Sequence, residues 1–242
     1  MIDTHAHLGD DAPEVLARAR AAGVTRVIDV ATTIDGARTT LTRAEHEEGV
    51  YACLGVHPHE AGEPGDLDEL RQLLAHPKAV AVGETGLDYY RDYAPRDAQQ
   101  RLFASQLALA LEVGKPVVIH TRAADDDTLA RLVDHSGPVI LHCFSSPALL
   151  EPALKHGWYV SFAGNVTYKN AYELRAAARR VPAERILAET DSPYLAPQAV
   201  RGRRNEPAYV MHTLAALAEA RAVSATDLAE QIDSNATAVF GL

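Results

Sequence analysis

The chain has 242 residues, 47% of them hydrophobic, which is enough for one sizeable core and too many for a disordered polymer. Its 23 Lys and Arg stand against 33 Asp and Glu, a net charge of −10. That is the wrong sign for holding duplex DNA over a broad face, though a small phosphate pocket stays open to it because bound cations can reverse a local field. No stretch approaches a membrane span, and no signal-peptide pattern opens the chain. The two cysteines, Cys53 and Cys143, are too few for a disulfide framework, so a cytoplasmic setting is expected.

Short Val- and Ile-rich runs predict strands over Met1 to His7, Val24 to Ala31, Val50 to His57, Ala79 to Glu84, Pro116 to His120, Pro138 to Cys143, Trp158 to Ala163 and Arg185 to Glu189. Amphipathic segments between them predict helices, among them Pro13 to Ala22, Ile34 to Glu48, Asp97 to Val113 and Pro147 to His156. Gly23, Gly49, Gly114 and Gly157 sit near helix ends, where a left-handed cap is expected. A last helical stretch, about Pro207 to Phe240, would cover the outside or the bottom. Eight strand–helix units in this length predict a parallel, closed (β/α)₈ TIM barrel, a single domain over residues 1–242.

The strand ends carry an unusual polar set. Strand periodicity puts Asp3, His5 and His7 on one face. Strand three ends at His57, four at Glu84, five at His120 and six at His142, and strand eight runs into Glu189-Thr190-Asp191. In a TIM barrel these ends meet on the open face where active sites are built. Imidazoles and carboxylates together suit divalent metals. One strand-end histidine would be unremarkable as a hydrogen-bonded structural residue; the same end of so many strands is not.

Other residues read more plainly. His46, His76, His135, His156 and His212 fall on helices or their ends, as solvent-facing or capping groups. His59 belongs to the rim or to a turn, and Cys143 is expected to pack in the core, away from the ligand side. Arg201-Gly202-Arg203-Arg204-Asn205 follows strand eight, where barrels often bind phosphate, and arginine suits phosphate through paired hydrogen bonds.

Taken in order, Asp3-Thr4-His5-Ala6-His7, Gly55-Val56-His57-Pro58-His59, Gly83-Glu84-Thr85-Gly86-Leu87-Asp88-Tyr89, Ile119-His120-Thr121-Arg122, His142-Cys143-Phe144-Ser145, Gly164 to Lys169, Glu189 to Tyr194 and Arg201 to Pro207 resemble the TatD family of metal-dependent deoxyribonucleases, within the amidohydrolase-like barrels. The resemblance implies that His5, His7, Glu84, His120, His142 and Asp191 hold two divalent ions (Mg, Mn or Zn). It also makes Arg201 to Asn205 similar to the family's substrate-side loop. Gly9, Ala123, Ala124 and Ser146 depart from the usual pattern, at the rim and not among the ligands.

The expected reaction is hydrolysis of a DNA phosphodiester, at a single strand or a 3′ end. His5, His7 and Asp191 would serve one metal and His120 and His142 the other, with Glu84 bridging and Asp191 as base. His57, Arg201, Arg203 and Asn205 would contact substrate. Tyr89, Tyr90, Phe144 and Tyr168 are candidates for stacking on bases or for packing. The rival readings are an amidohydrolase of a cyclic amide, ester or nucleobase, and a non-catalytic metal- or phosphate-binding protein. Many amidohydrolases bridge two metals with a modified strand-end lysine. None of the four lysines here ends a predicted strand.

Overall fold

A computed structural model describes residues 1–242. The strands are β1 Ile2–Ala6, β2 Arg26–Val30, β3 Val50–Leu54, β4 Ala79–Asp88, β5 Val117–Arg122, β6 Val139–Leu141, β7 Tyr159–Phe162 and β8 Ile186–Ala188. All pairings are parallel and the spatial order is the chain order. Two bonds just past β8 join the last strand to the first: Asp191 N–H donates to His5 O at 2.9 Å and His7 N–H to Ser192 O at 2.7 Å. The fold is a TIM barrel. Both faces of such a sheet are covered, which is why its strands read as apolar runs without alternation.

The helices are α1 Ala12–Ala21, α2 Ile34–His46, α3 Leu67–Leu74, α4 Arg96–Val113, α5 Asp125–Leu132, α6 Leu150–His156, α7 Tyr172–Arg180, α8 Val210–Arg221 and α9 Ala225–Phe240. Gly114 and Gly157 cap α4 and α6 with φ of 66° and 67°, where only glycine avoids a side-chain penalty. The final stretch is not continuous: a turn at Ala222 separates α8 from α9, and the Ser224 side chain caps α9 by accepting from Asp227 N–H. Helix α9 closes the bottom of the barrel. Asp233 pairs with the Met1 amino group at 3.1 Å, Thr237 accepts from Arg26, and Asn235 donates to Ala183 and Ile186 carbonyls.

Several strand ends differ from expectation. β4 runs past Glu84 to Asp88 and β5 past His120 to Arg122, whereas β3, β6 and β8 stop before His57, His142 and Glu189. Hydrogen-bond pairing with neighbours, which composition does not encode, decides where a ladder ends. Three ladders also slip by a residue, β3–β4 at Ala52 to Cys53 and two others beside the polar strand ends. β1 pairs Asp3 with Val27 but Ala6 with Asp29, and β4 pairs Val82 with Val117 but Thr85 with Ile119. Each of these last two bulges re-aims side chains beside a site, here in the stretches that carry His5 and Glu84. Just beyond, the backbone of β4 presses on β5: a Cβ on Gly86 (φ 140°) would lie 2.0 Å from the His120 carbonyl oxygen.

Candidate metal centre

Glu84 lies on the barrel axis side of β4 and is buried. Its Oε2 faces His5 Nε2 at 3.5 Å and His7 Nε2 at 3.6 Å. Asp191 Oδ1 completes that group, 3.6 Å from His7 Nε2 and 3.9 Å from His5 Nε2, and the two imidazole nitrogens lie 3.4 Å apart. Its Oε1 faces a second group: His120 Nδ1 at 2.7 Å, His142 Nε2 at 2.8 Å and His57 Nε2 at 3.5 Å. The structure thus brings together all six residues expected as ligands, with His57 beside them.

The donor chemistry fits a cation. His7 donates its Nδ1 proton to Val30 O at 2.9 Å, which turns Nε2 toward the group. Burial, joined by the neighbouring His142, holds His5 below its ordinary pKa as a neutral imidazole. Ligand atoms about 2.1 Å from one ion stand about 3.4 Å apart around a tetrahedron, close to the spacings here. Burial would push the Glu84 carboxyl up, but His142 and His57, with hydrogen bonds from His120 and His142, hold it well below the usual range as an anion.

A supporting layer orients these side chains, and sequence reasoning gave it no role. Glu189 is fully buried; its Oε1 accepts from His142 Nδ1 at 3.2 Å and from Cys143 N–H at 2.8 Å. Its Oε2 has no partner, and neither has the buried Nδ1 of His5, a residue whose ring stacks on His142 at 4.0 Å. Asp88 lies 3.2 Å from His120 Nε2 and 2.9 Å from His59 Nε2, and its other oxygen accepts from Tyr90 and Arg91 N–H. A carboxylate behind a ligand histidine fixes the ring and raises its basicity. The signal available was position alone: Glu189 precedes Asp191 by two residues, and Asp88 follows Glu84 by four.

Two glutamines of α4, seven residues apart and fully buried, hold the strand ends. Gln106 accepts from Val56 N–H and donates to Val56 O, both at 2.8 Å, and donates to Thr85 Oγ1 at 2.7 Å. Gln99 does the same for Asp88 N–H and O at 2.9 and 3.1 Å. Polar residues on a buried helix face would weaken a helix–strand contact unless each atom found a partner; here they secure the segment leading to His57 and the end of β4 at Asp88.

Residues outside the cluster are placed as follows. Cys143 is not in the core: β6 has already ended, and the residue sits half-buried at a bend with φ 45°. Burial pushes its thiol pKa well up, so it is a poor nucleophile. Phe144 is core, edge-on to Phe162 at 5.7 Å, and the Tyr89 hydroxyl donates to Asp127. His59 stands at the rim on Asp88. Of the arginine loop, Arg201 lies over the Tyr168 ring at 4.6 Å, Arg203 is exposed, and Arg204 pairs with Asp11. Asn205 is buried and its amide donates to Thr190 and Tyr194 carbonyls, so it holds the loop shape. It also borders a cavity of about 120 Å³ beside His7, Arg18 and Arg204.

A parallel barrel with histidines and carboxylates converging at the carboxyl ends of its strands defines a metal-dependent barrel hydrolase. Residues 2–241 match the family described as TatD related DNase, and the chain belongs to the TatD family of metal-dependent hydrolases. It is 38% identical to the uncharacterized metal-dependent hydrolase YabD of Bacillus subtilis, over 99% of this chain and 98% of that protein. It is 36% identical to the 3′-5′ ssDNA/RNA exonuclease TatD of Klebsiella pneumoniae, over 99% and 95%. The crystal structure of YJJV, a TatD homolog from Escherichia coli K12, superposes with a TM-score of 0.93 at 32% identity, over 100% of this chain and 98% of that one.

Proposed function

We propose that this protein hydrolyses phosphodiester bonds of nucleic acid, as a deoxyribonuclease working from the 3′ end of a single strand. The observation that carries the reading is the division of ligands about one carboxylate. Glu84 Oε2 faces His5 and His7, whose nitrogens Asp191 also approaches, and Glu84 Oε1 faces His120 and His142. These residues would hold two divalent ions, Mg, Mn or Zn, which supply the positive charge that neutralises phosphoryl oxygens and acidifies an attacking water. The name borne by the Klebsiella relative supports nucleic acid as the substrate.

The chain's own groups supply the rest. Asp191 reaches the cluster through Oδ1 and is held below its ordinary pKa: burial opposes this, but hydrogen bonding from His7 and the charge of His142 outweigh it. It is the base that takes the water's proton. His57 accepts from His59 N–H at Nδ1, so its remaining proton sits on Nε2, directed at the cluster, where it donates to a phosphoryl oxygen. Arg201 and Arg203 are exposed in the loop after β8, on the rim of the strand ends, free to meet the next phosphate along the strand.

The amidohydrolase alternative loses its bridging group. Lys78 and Lys115 donate to the carbonyls of Val50 and Ala79, at strand starts and on the far side of the barrel from Glu84. With both cysteines free and no helix long and apolar enough to cross a membrane, a cytoplasmic setting fits the reading.

The test is digestion of end-labelled single-stranded DNA by metal-stripped protein, with Mg, Mn or Zn restored separately and Glu84→Ala beside it. The expected result is a metal-dependent ladder shrinking from the 3′ end and absent in the variant. Intact DNA in every lane, with metal bound, overturns the proposal.

A further inference from the structure

The exposed aromatic rings of this protein are not scattered. Four of its nine tyrosines are mostly exposed: Tyr90 at 64%, Tyr93 at 66%, Tyr172 at 72% and Tyr194 at 62%. All four lie in or just after the loops that follow β4, β7 and β8, on the rim that carries the metal centre. The other large exposed apolar side chains, Leu111, Val133 and Val223, are aliphatic. They sit at or just past the C-terminal ends of α4, α5 and α8, hence toward the opposite rim, since the helices run back down the barrel.

Three of the rings bracket the cluster. Tyr194 meets the His7 ring edge-on at 6.1 Å, on the side of the His5–His7–Asp191 group. Tyr93 meets His59 at 4.7 Å, and His59 meets His57 at 4.2 Å, on the side of the other group. Tyr90 lies further out, with the Arg122 guanidinium over its ring at 4.0 Å. A ring kept for packing is buried, as Phe144 is; these rings leave a face in water beside the reacting centre. In a chain of net charge −10, Arg91 and Arg122 add positive charge beside that face.

We propose that Tyr90, Tyr93 and Tyr194 form a stacking rim for the unpaired bases of a single-stranded nucleic acid, seating nucleotides on both sides of the diester that reaches the cluster. Every base has a π-face, so such a rim selects single strands with little preference among sequences. A duplex keeps its bases stacked on one another and offers the rim only its terminal pair. Arg122, stacked on Tyr90, also stiffens the platform and meets the backbone charge. The inference rests on the phosphodiesterase reading of the cluster.

Tyr90→Ala, Tyr93→Ala and Tyr194→Ala each remove a ring, and the matching Tyr→Phe variants keep it. Metal-loaded protein is titrated into fluorescently labelled, phosphorothioate-linked oligothymidylate and followed by anisotropy. Cleavage of ordinary oligothymidylate is compared with that of methyl p-nitrophenyl phosphate, a diester without a base. The Ala variants are expected to bind the oligonucleotide about tenfold more weakly each and to raise KM rather than lower kcat. Their selectivity for oligonucleotide over the small diester falls by the same factor, and the Phe variants restore it. Ala variants that bind and discriminate like the parent protein overturn the stacking rim and leave the nuclease reading standing. Parent protein that hydrolyses the small diester and ignores every oligonucleotide overturns the nuclease reading itself, before any variant is compared.

Discussion

Glu84 occupies the one position where two oxygens of a single side chain can each meet a different set of imidazoles, and the roles of its neighbours follow from which oxygen they face. Asp191 sits on the Oε2 side with its carboxylate anionic. Asp191→Asn keeps shape and a ligating oxygen but cannot take a proton. Turnover is expected to fall by about 10²–10⁴ with the circular dichroism spectrum unchanged, and near-parental turnover would remove Asp191 from its role as base. Glu189 acts one step back. Its Oε1 holds His142, and its partnerless Oε2 and the partnerless Nδ1 of His5 are the two unsatisfied atoms of the inner layer. Glu189→Gln keeps the packing and loses the charge. Calorimetric titration with metal is expected to show affinity about 10–100-fold weaker; an unaltered isotherm would leave Glu189 a packing residue only.

At the scale of elements, the site depends on parts that never touch it. The bulges in β1 and β4 place His5 and Glu84, and α4 clamps the ends of β3 and β4 with two glutamines. Gln106→Ala would strand the Val56 N–H and C=O and the Thr85 hydroxyl in a dry interior, at about 1–3 kcal/mol for each group left without a partner. The urea midpoint should drop accordingly, and activity should drop with it, because His57 follows Val56 directly. A variant that loses stability at full activity would show that the clamp does not position His57, and one that keeps full stability would show that the freed groups find other partners.

For the whole molecule, electrostatics set the kind of substrate complex. A surface at −10 repels a polyanion everywhere except near the arginines and the metal centre, so only a few phosphates can be engaged at once. The logarithm of oligonucleotide affinity should therefore fall with the logarithm of salt at a slope of about −1.4 to −2.1, as for two or three neutralised phosphates on a single strand. Anisotropy titrations across a salt series read this directly, and a slope near that of a protein tracking a long stretch of backbone would contradict it.

Much of this protein was legible before its fold was known. The eight apolar runs, their helical spacers and the glycine caps define a barrel through local periodicity. A barrel gathers its strand ends on one face, so His5, His7, Glu84, His120, His142 and Asp191 had to meet. What the tertiary structure alone decided is finer. Ladder ends and register slips arise from pairing between strands distant in sequence, which is why β4 runs to Asp88 and Cys143 falls at a bend outside the core. Buried partners such as Glu189 behind His142 and Gln106 on Val56 depend on which side chain fills which gap once the layers pack. Exposure is likewise a property of the assembled surface: Phe144 is buried while Tyr93 and Tyr194 stand in water, and no local pattern separates an aromatic residue that completes a core from one left free at the mouth of a site.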